Sequence, residues 1–141
     1  MKRILLDTNI ILDVILERQP FVKNAVKLIE LSIGRNDRLF ITASTITDIY
    51  YIAKRRAGHN TTIQFIKELL GFIDVVAIDK VTVINALNNK MSDFEDAIQT
   101  EAARQNRIHI LITRNIKDFD NLEIEVLLPE DYIDKLNKEN F

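Results

Sequence analysis

Four acidic residues far apart in the chain stand where a strand gives way to a loop or a helix. Asp7 follows Ile4, Leu5 and Leu6. Asp48 lies one turn into a helical pattern after Leu39, Phe40 and Ile41. Asp96 opens a helix in Ser92-Asp93-Phe94-Glu95-Asp96, and Asp118 comes just past Ile110, Leu111 and Ile112. Brought together, these side chains make a carboxylate pocket with no paired base. Two such charges about 4 Å apart repel by roughly 4 kcal/mol at an effective dielectric near 20. A hard divalent cation removes that repulsion and supplies chemistry, so Mg²⁺ or Mn²⁺ is the natural occupant.

Bulk composition narrows the setting for such a pocket. With 141 residues, the chain is long enough for one domain with a real core and short for two. An apolar content of 47% with only three Gly and two Pro excludes a disordered chain. No apolar stretch approaches the roughly 20 residues that span a bilayer. The chain opens on strand-like residues rather than on a charged leader, and it has no Cys. Disulfides and thiolate metal sites are therefore excluded, and the expected location is the cytoplasm. A net charge of −2 argues against a general nucleic-acid coating protein, although it leaves room for a local basic rim.

Strand and helix patterns alternate from end to end. Strands are expected over residues 2–6, 38–42, 75–78, 108–112 and 124–127. Helices are expected over about 8–17, 21–34, 43–57, 61–71, 80–88, 93–106 and 129–137. Ser92 and Glu95 have capping-box spacing for the sixth helix. Helices between strands imply parallel pairing with helices on both faces, in one domain over residues 1–141. Ligands in such sheets sit beyond the carboxyl ends of the strands, where Asp7 and the loop over 113–118 fall.

Each acidic position also has an ordinary explanation. Asp7, Thr8 and Asn9 all cap helices. Asp93 suits the first turn of a helix through the macrodipole. Asp48 shares a face with Thr45, while Ile46, Ile49 and Tyr50 cover the core side. Asp96 shares a face with Asp93, and next to Ala97 and Ile98 it has less reason to be acidic. Thr113 has a hydroxyl that either orients a ligand or ends the strand, and Asn115 suits a turn. Asp13 is expected to point away from the pocket. His59, in an expected helix–helix loop, and His109 lack a third ligand nearby, and Ser44 lacks a His partner for a hydrolase triad. Two groups offer a grip on phosphate: the run Lys54-Arg55-Arg56, and Arg114, which is favoured because it shares a loop with Asp118.

The combination is more specific than its parts. Leu5-Leu6-Asp7-Thr8-Asn9-Ile10-Ile11-Leu12-Asp13, Ser44-x-x-Thr47-Asp48-Ile49-Tyr50-Tyr51, Asp93-Phe94-Glu95-Asp96-Ala97 and Thr113-Arg114-Asn115-x-x-Asp118-Phe119 occur in this order. Together they resemble the PIN domain (PilT N-terminus) family of metal-dependent nucleases, over residues 4–128. The resemblance implies a three-layer α/β/α sandwich with a mainly parallel central sheet. It implies Asp7, Asp96 and Asp118 as metal carboxylates holding Mg²⁺ or Mn²⁺, joined by Asp93, with Asp48 completing the catalytic set. Asn9, Thr113 and Arg114 are placed at the substrate. Asp48 stands where most relatives have Glu, and the shorter arm draws that carboxylate back by about one C–C bond.

Many small members of the family are VapC-like toxin ribonucleases. The implied activity is therefore hydrolysis of RNA phosphodiester bonds, with an antitoxin protein and a second copy of the chain as partners. Exposed apolar faces on the helices of residues 43–71 are expected to serve both contacts. A PIN-fold binding module with a weak or inactive site, acting through a protein partner, is the alternative. A DNA-directed flap-type nuclease would need large helical insertions for which 141 residues leave little room.

Overall fold

A computed structural model describes residues 1–91, 93–119 and 123–139. Five strands form one sheet: β1 (Arg3–Leu6), β2 (Arg38–Thr42), β3 (Ile73–Val76), β4 (Ile110–Ile112) and β5 (Glu125–Leu127). Their order is β3-β2-β1-β4-β5 and every pairing is parallel. The helices among the described residues are α1 (Thr8–Ile15), α2 (Val22–Gly34), α3 (Ala43–Ala57), α4 (His59–Leu69), α5 (Lys80–Leu87), α6 (Phe94–Gln105) and α7 (Pro129–Glu139). A 3₁₀ turn covers Ile116–Asp118. None of the described helices is long and apolar enough to cross a membrane.

The period-two alternation of the strands builds the three layers. Ile4, Leu6, Leu39, Ile41, Ile73 and Ile112 point to one side, into a core with residues of α1, α2, α3, α4 and α7. Leu5, Phe40, Val76 and Leu111 point to the other side, against Ala102 and Ala103 of α6. Ala86, Ala97 and Ile98 seal α5 to α6. Ile4, Leu5 and Leu6 are fully buried because β1 lies between β2 and β4 and under both layers. At about 1.5–3 kcal/mol for each buried side chain, this tripeptide anchors the centre of the sheet. Strand order also reverses at β1, so its carboxyl end opens on the crevice where α/β sheets bind ligands. Asp7 is the residue at that end.

The expected elements are present, with shifted ends. The third strand runs over Ile73–Val76 instead of residues 75–78, because Ile73 pairs with Leu39 and Val76 with Thr42. Ile78 packs instead beside the α5–α6 contact. His59 begins α4 and does not lie in a loop. Gly58, at φ 83°, makes the whole corner between α3 and α4, a conformation that favours glycine. His59 Nδ1 lies 2.9 Å from the Tyr50 hydroxyl, a local structural bond. Ser92 of the expected capping box lies outside the described residues. The cap of α6 is Asp93, whose carboxylate accepts from the Asp96 N–H at 3.0 Å.

Candidate active site

Asp7 directly follows β1 and caps α1, so both the rigid strand and the helix N-terminus fix its position. Its backbone N–H donates to the Ile112 carbonyl at 3.0 Å, which ties it to the neighbouring strand end. Oδ1 accepts from the Thr8 N–H at 2.7 Å and from Gln99 Nε2 at 2.9 Å. Oδ2 accepts from Thr113 Oγ1 at 2.7 Å and from Asn9 Nδ2 at 3.3 Å. All four donors are neutral, so they hold the carboxylate in place without cancelling its charge. A buried chain of hydroxyls continues from the site. Thr8 Oγ1 lies 2.9 Å from Thr45 Oγ1, which lies 3.2 Å from Thr42 Oγ1, joining the start of α1 to the start of α3.

Asp7 opens onto a cavity of about 360 Å³. Asp48 reaches it from α3, Asp93, Glu95 and Asp96 from the start of α6, and Asn115 and Asp118 from the loop after β4. No Lys, Arg or His is among the described residues lining it. The crowding shows in two acidities. A hydrogen bond to Asp48, then burial, then the charges of Asp48, Asp7 and Asp93 push the Glu95 carboxyl up to about 8. Burial, then the charges of Asp93, Asp7 and Asp118 push Asp96 up to about 7.

This donor set fits a hard divalent cation. Its acidic groups are all oxygen donors, and Asn9 Oδ1 adds a buried oxygen with no hydrogen-bond partner. As the side chains stand, no three acidic or imidazole groups among the described residues are close enough to grip one ion.

A family model described as "PIN domain" matches residues 3–117. The chain belongs to the PIN domain family. Ribonuclease VapC1 of Aquifex aeolicus (strain VF5) is 24% identical to it over 141 residues, covering 96% of each chain. A toxin–antitoxin complex from Klebsiella pneumoniae superposes with a TM-score of 0.68 at 24% identity, covering 89% of this chain and 96% of that one. VapC20 of Mycobacterium tuberculosis, a toxin described as cleaving the sarcin-ricin loop, superposes with a TM-score of 0.62 at 14% identity. There the coverage is 77% of this chain and 86% of that one.

Within this PIN domain, Asp7, Asp48, Asp93, Asp96, Asp118 and Asn9 all line the one cavity. Two residues placed at the substrate by sequence do not. Thr113 is fully buried; its hydroxyl donates to Asp7 and accepts from the Asn115 N–H, so it positions a carboxylate from beneath the cavity surface. Arg114 points away from the cavity. Its guanidinium pairs with Asp13 and stacks 3.9 Å over the Phe21 ring. Asp13 indeed faces away from the pocket, and it is fully buried. Two residues of the site escaped the sequence reading. In sequence, Glu95 reads as a helix-capping residue, and no motif singles out Gln99. The available signal for Gln99 was its spacing of three from Asp96, which puts both on one face of α6.

Proposed function

We propose that this PIN domain, spanning residues 1–141, is a metal-dependent endoribonuclease that hydrolyses RNA phosphodiester bonds in the cytoplasm. We propose further that it is the toxin half of a toxin–antitoxin pair. One observation carries the reading. Carboxylates from four distant segments meet in a single cavity at the carboxyl end of the central strand, with no cation-bearing side chain among the described lining residues. The relative named as a ribonuclease and the solved toxin–antitoxin complexes of the same fold support it.

Asp7, Asp93, Asp96 and Asp118 would hold Mg²⁺ or Mn²⁺, with Asp48 and Glu95 completing the acidic lining and Asn9 oriented toward substrate. A divalent ion there supplies an acidified water and neutralises charge on phosphate oxygens. The protein's own part is positional: Thr113 and Gln99 hold Asp7, and the Asp93 cap holds the first turn of α6. An antitoxin would restrain the enzyme by laying a C-terminal segment across the groove with a basic side chain among the carboxylates. A second copy of the chain is the other expected partner.

The test is cleavage of single-stranded RNA by wild type, Asp7→Asn and Asp96→Asn, each with Mn²⁺ and with EDTA. Wild type should cut only with metal, and each variant should lose at least about a hundredfold in rate. Full cleavage in EDTA, or by the variants, overturns the reading.

A further inference from the structure

Six carboxylates line the cavity, so an RNA strand must find positive charge beside it. Arg114, the nearest Arg in sequence to Asp118, is committed to Asp13 and Phe21. Arg104 pairs with Glu101 and Glu123, and Arg38 with Asp74. Arg55 and Arg56 are exposed and have no carboxylate partner among the described residues, as is true of Lys117 beside Asp118, but they alone come as a pair on a helix that lines the cavity. They sit at the end of α3, the helix whose Asp48 and Ile52 form one wall of the cavity.

Helical phase connects the two ends. Ile52 follows Asp48 by four residues, and Arg55 and Arg56 follow Ile52 by three and four, so all lie on one stripe. At 1.5 Å per residue, Arg55 stands about 10 Å along the axis from Asp48. Tyr51 flanks the stripe one turn before Arg55 and is 64% exposed. The helix dipole favours any basic residue in a last turn. It accounts equally for Lys54, Arg55 and Arg56, but not for their division between faces. Lys54 lies against the Tyr50 ring, 5.5 Å from its centroid, while the two arginines continue the cavity wall.

We propose that Tyr51, Arg55 and Arg56 form a track that leads single-stranded RNA out of the carboxylate cavity. The arginines grip phosphates beyond the scissile bond, and Tyr51 stacks an unpaired base. Ile52 offers an apolar step between them. The inference rests on the ribonuclease reading above and assigns its substrate a path over named residues.

The probe is a fluorescein-labelled single-stranded RNA of about 20 nucleotides, long enough to cover the track. Its affinity is read by anisotropy in Ca²⁺ over a salt series, for wild type, the double variant Arg55→Ala/Arg56→Ala, and Tyr51→Ala. The double variant should flatten the log–log salt slope by about 1.4, because each lost single-strand phosphate contact removes about 0.7. Tyr51→Ala should weaken binding about tenfold with the slope unchanged. Mn²⁺ affinity should stay at the wild-type value in both variants, and the melting temperature in the double variant, since the arginines are exposed and outside the carboxylate set; Tyr51→Ala gives up only the edge contact of its ring with Tyr50, 5.2 Å between centroids. Wild-type slope and affinity in the double variant overturn the track. So does loss of self-association by that variant with RNA binding intact, which would assign the face to a protein. Wild type that neither binds this RNA nor cuts it in Mn²⁺ sinks the ribonuclease reading itself, a separate result.

Discussion

Arg114 holds Asp13 through two hydrogen bonds, Nε to Oδ2 at 2.8 Å and Nη2 to Oδ1 at 3.2 Å, from 101 positions away in the chain. The Asp13 side chain is 1% exposed, and Arg18 Nη1 stands 3.8 Å off as a second cation. Arg114 lies between Thr113, which holds Asp7, and Asn115, which lines the cavity. The pair therefore pins the loop carrying Asp118 onto α1.

Removing Arg114 leaves the buried Asp13 carboxylate with Arg18 as its one remaining cation among the described residues, at 3.8 Å, so the loss should be about 1–3 kcal/mol, below the cost of a wholly unpaired buried charge. Arg114→Ala should lower the urea unfolding free energy by that amount. Arg114→Lys should recover only part of it, because an ammonium cannot reproduce the two-point fork. A loss below about 1 kcal/mol would put the pair in the class of exposed ion pairs and remove its structural role.

Gln99 and Thr113 each give Asp7 one side-chain hydrogen bond from a buried position. Supports of this kind, behind the groups that hold an ion, typically cost 10–100-fold in metal affinity when lost. Thr113→Val and Gln99→Leu should each weaken Mn²⁺ binding by about that factor in calorimetry. Neither should raise KM for RNA, because neither side chain reaches the cavity. A raised KM at unchanged Mn²⁺ affinity would return Thr113 to the substrate.

The raised carboxyls set a pH window. Glu95 is lifted from 4.5 to about 8 and Asp96 from 3.8 to about 7, so the folded chain holds protons that the unfolded chain releases. Such groups contribute stability below the unfolded values, and that contribution is lost as pH rises through the folded ones. In EDTA, the melting temperature should fall between about pH 5 and 8, and Glu95→Gln should flatten the fall. Mn²⁺ should flatten it too, by taking the place of the protons. Asp79 and Glu139 are lowered by their hydrogen bonds, and they act in the opposite sense as pH falls through and below their ordinary values of 3.8 and 4.5. Melting that rises across the window in EDTA would contradict the crowding of the cavity.

How much of this was legible in the sequence depended on the range of the interaction. Strand and helix identities follow from periodicity and survived intact, because burial on two faces leaves little choice. That the four aspartates share one cavity was legible because Asp7 and Asp118 follow strand ends while Asp48 and Asp96 lie in the first two turns of helices. Thr113 and Arg114 were not separable, although adjacent residues at a strand end point to opposite sides. Which side held Asp7 and which held Asp13 depended on contacts more than a hundred positions away. Arg114 therefore looked the better phosphate grip, whereas the structure leaves Arg55 and Arg56 without carboxylate partners among the described residues. Glu95 was hidden by a sufficient local explanation, its capping-box spacing. The register of β3 depends on pairing with β2, and no local pattern contains that information.

The same concealment makes Glu95 the place to test the departure at Asp48. Asp48 carries a shorter arm than the Glu usual in the family, and the Glu95 carboxyl meets it with a hydrogen bond across the cavity. Two carboxylates sharing one proton act as a unit, so their effects on metal binding should not add. Mn²⁺ affinity measured for Asp48→Asn, Glu95→Gln and the double variant gives the coupling directly. Each single change should be partly compensated by the remaining carboxylate. The double variant should then lose more than the sum of the two, with a coupling of about 0.5–3 kcal/mol. Additive losses would mean that Asp48 meets the ion alone and that its short arm is uncompensated.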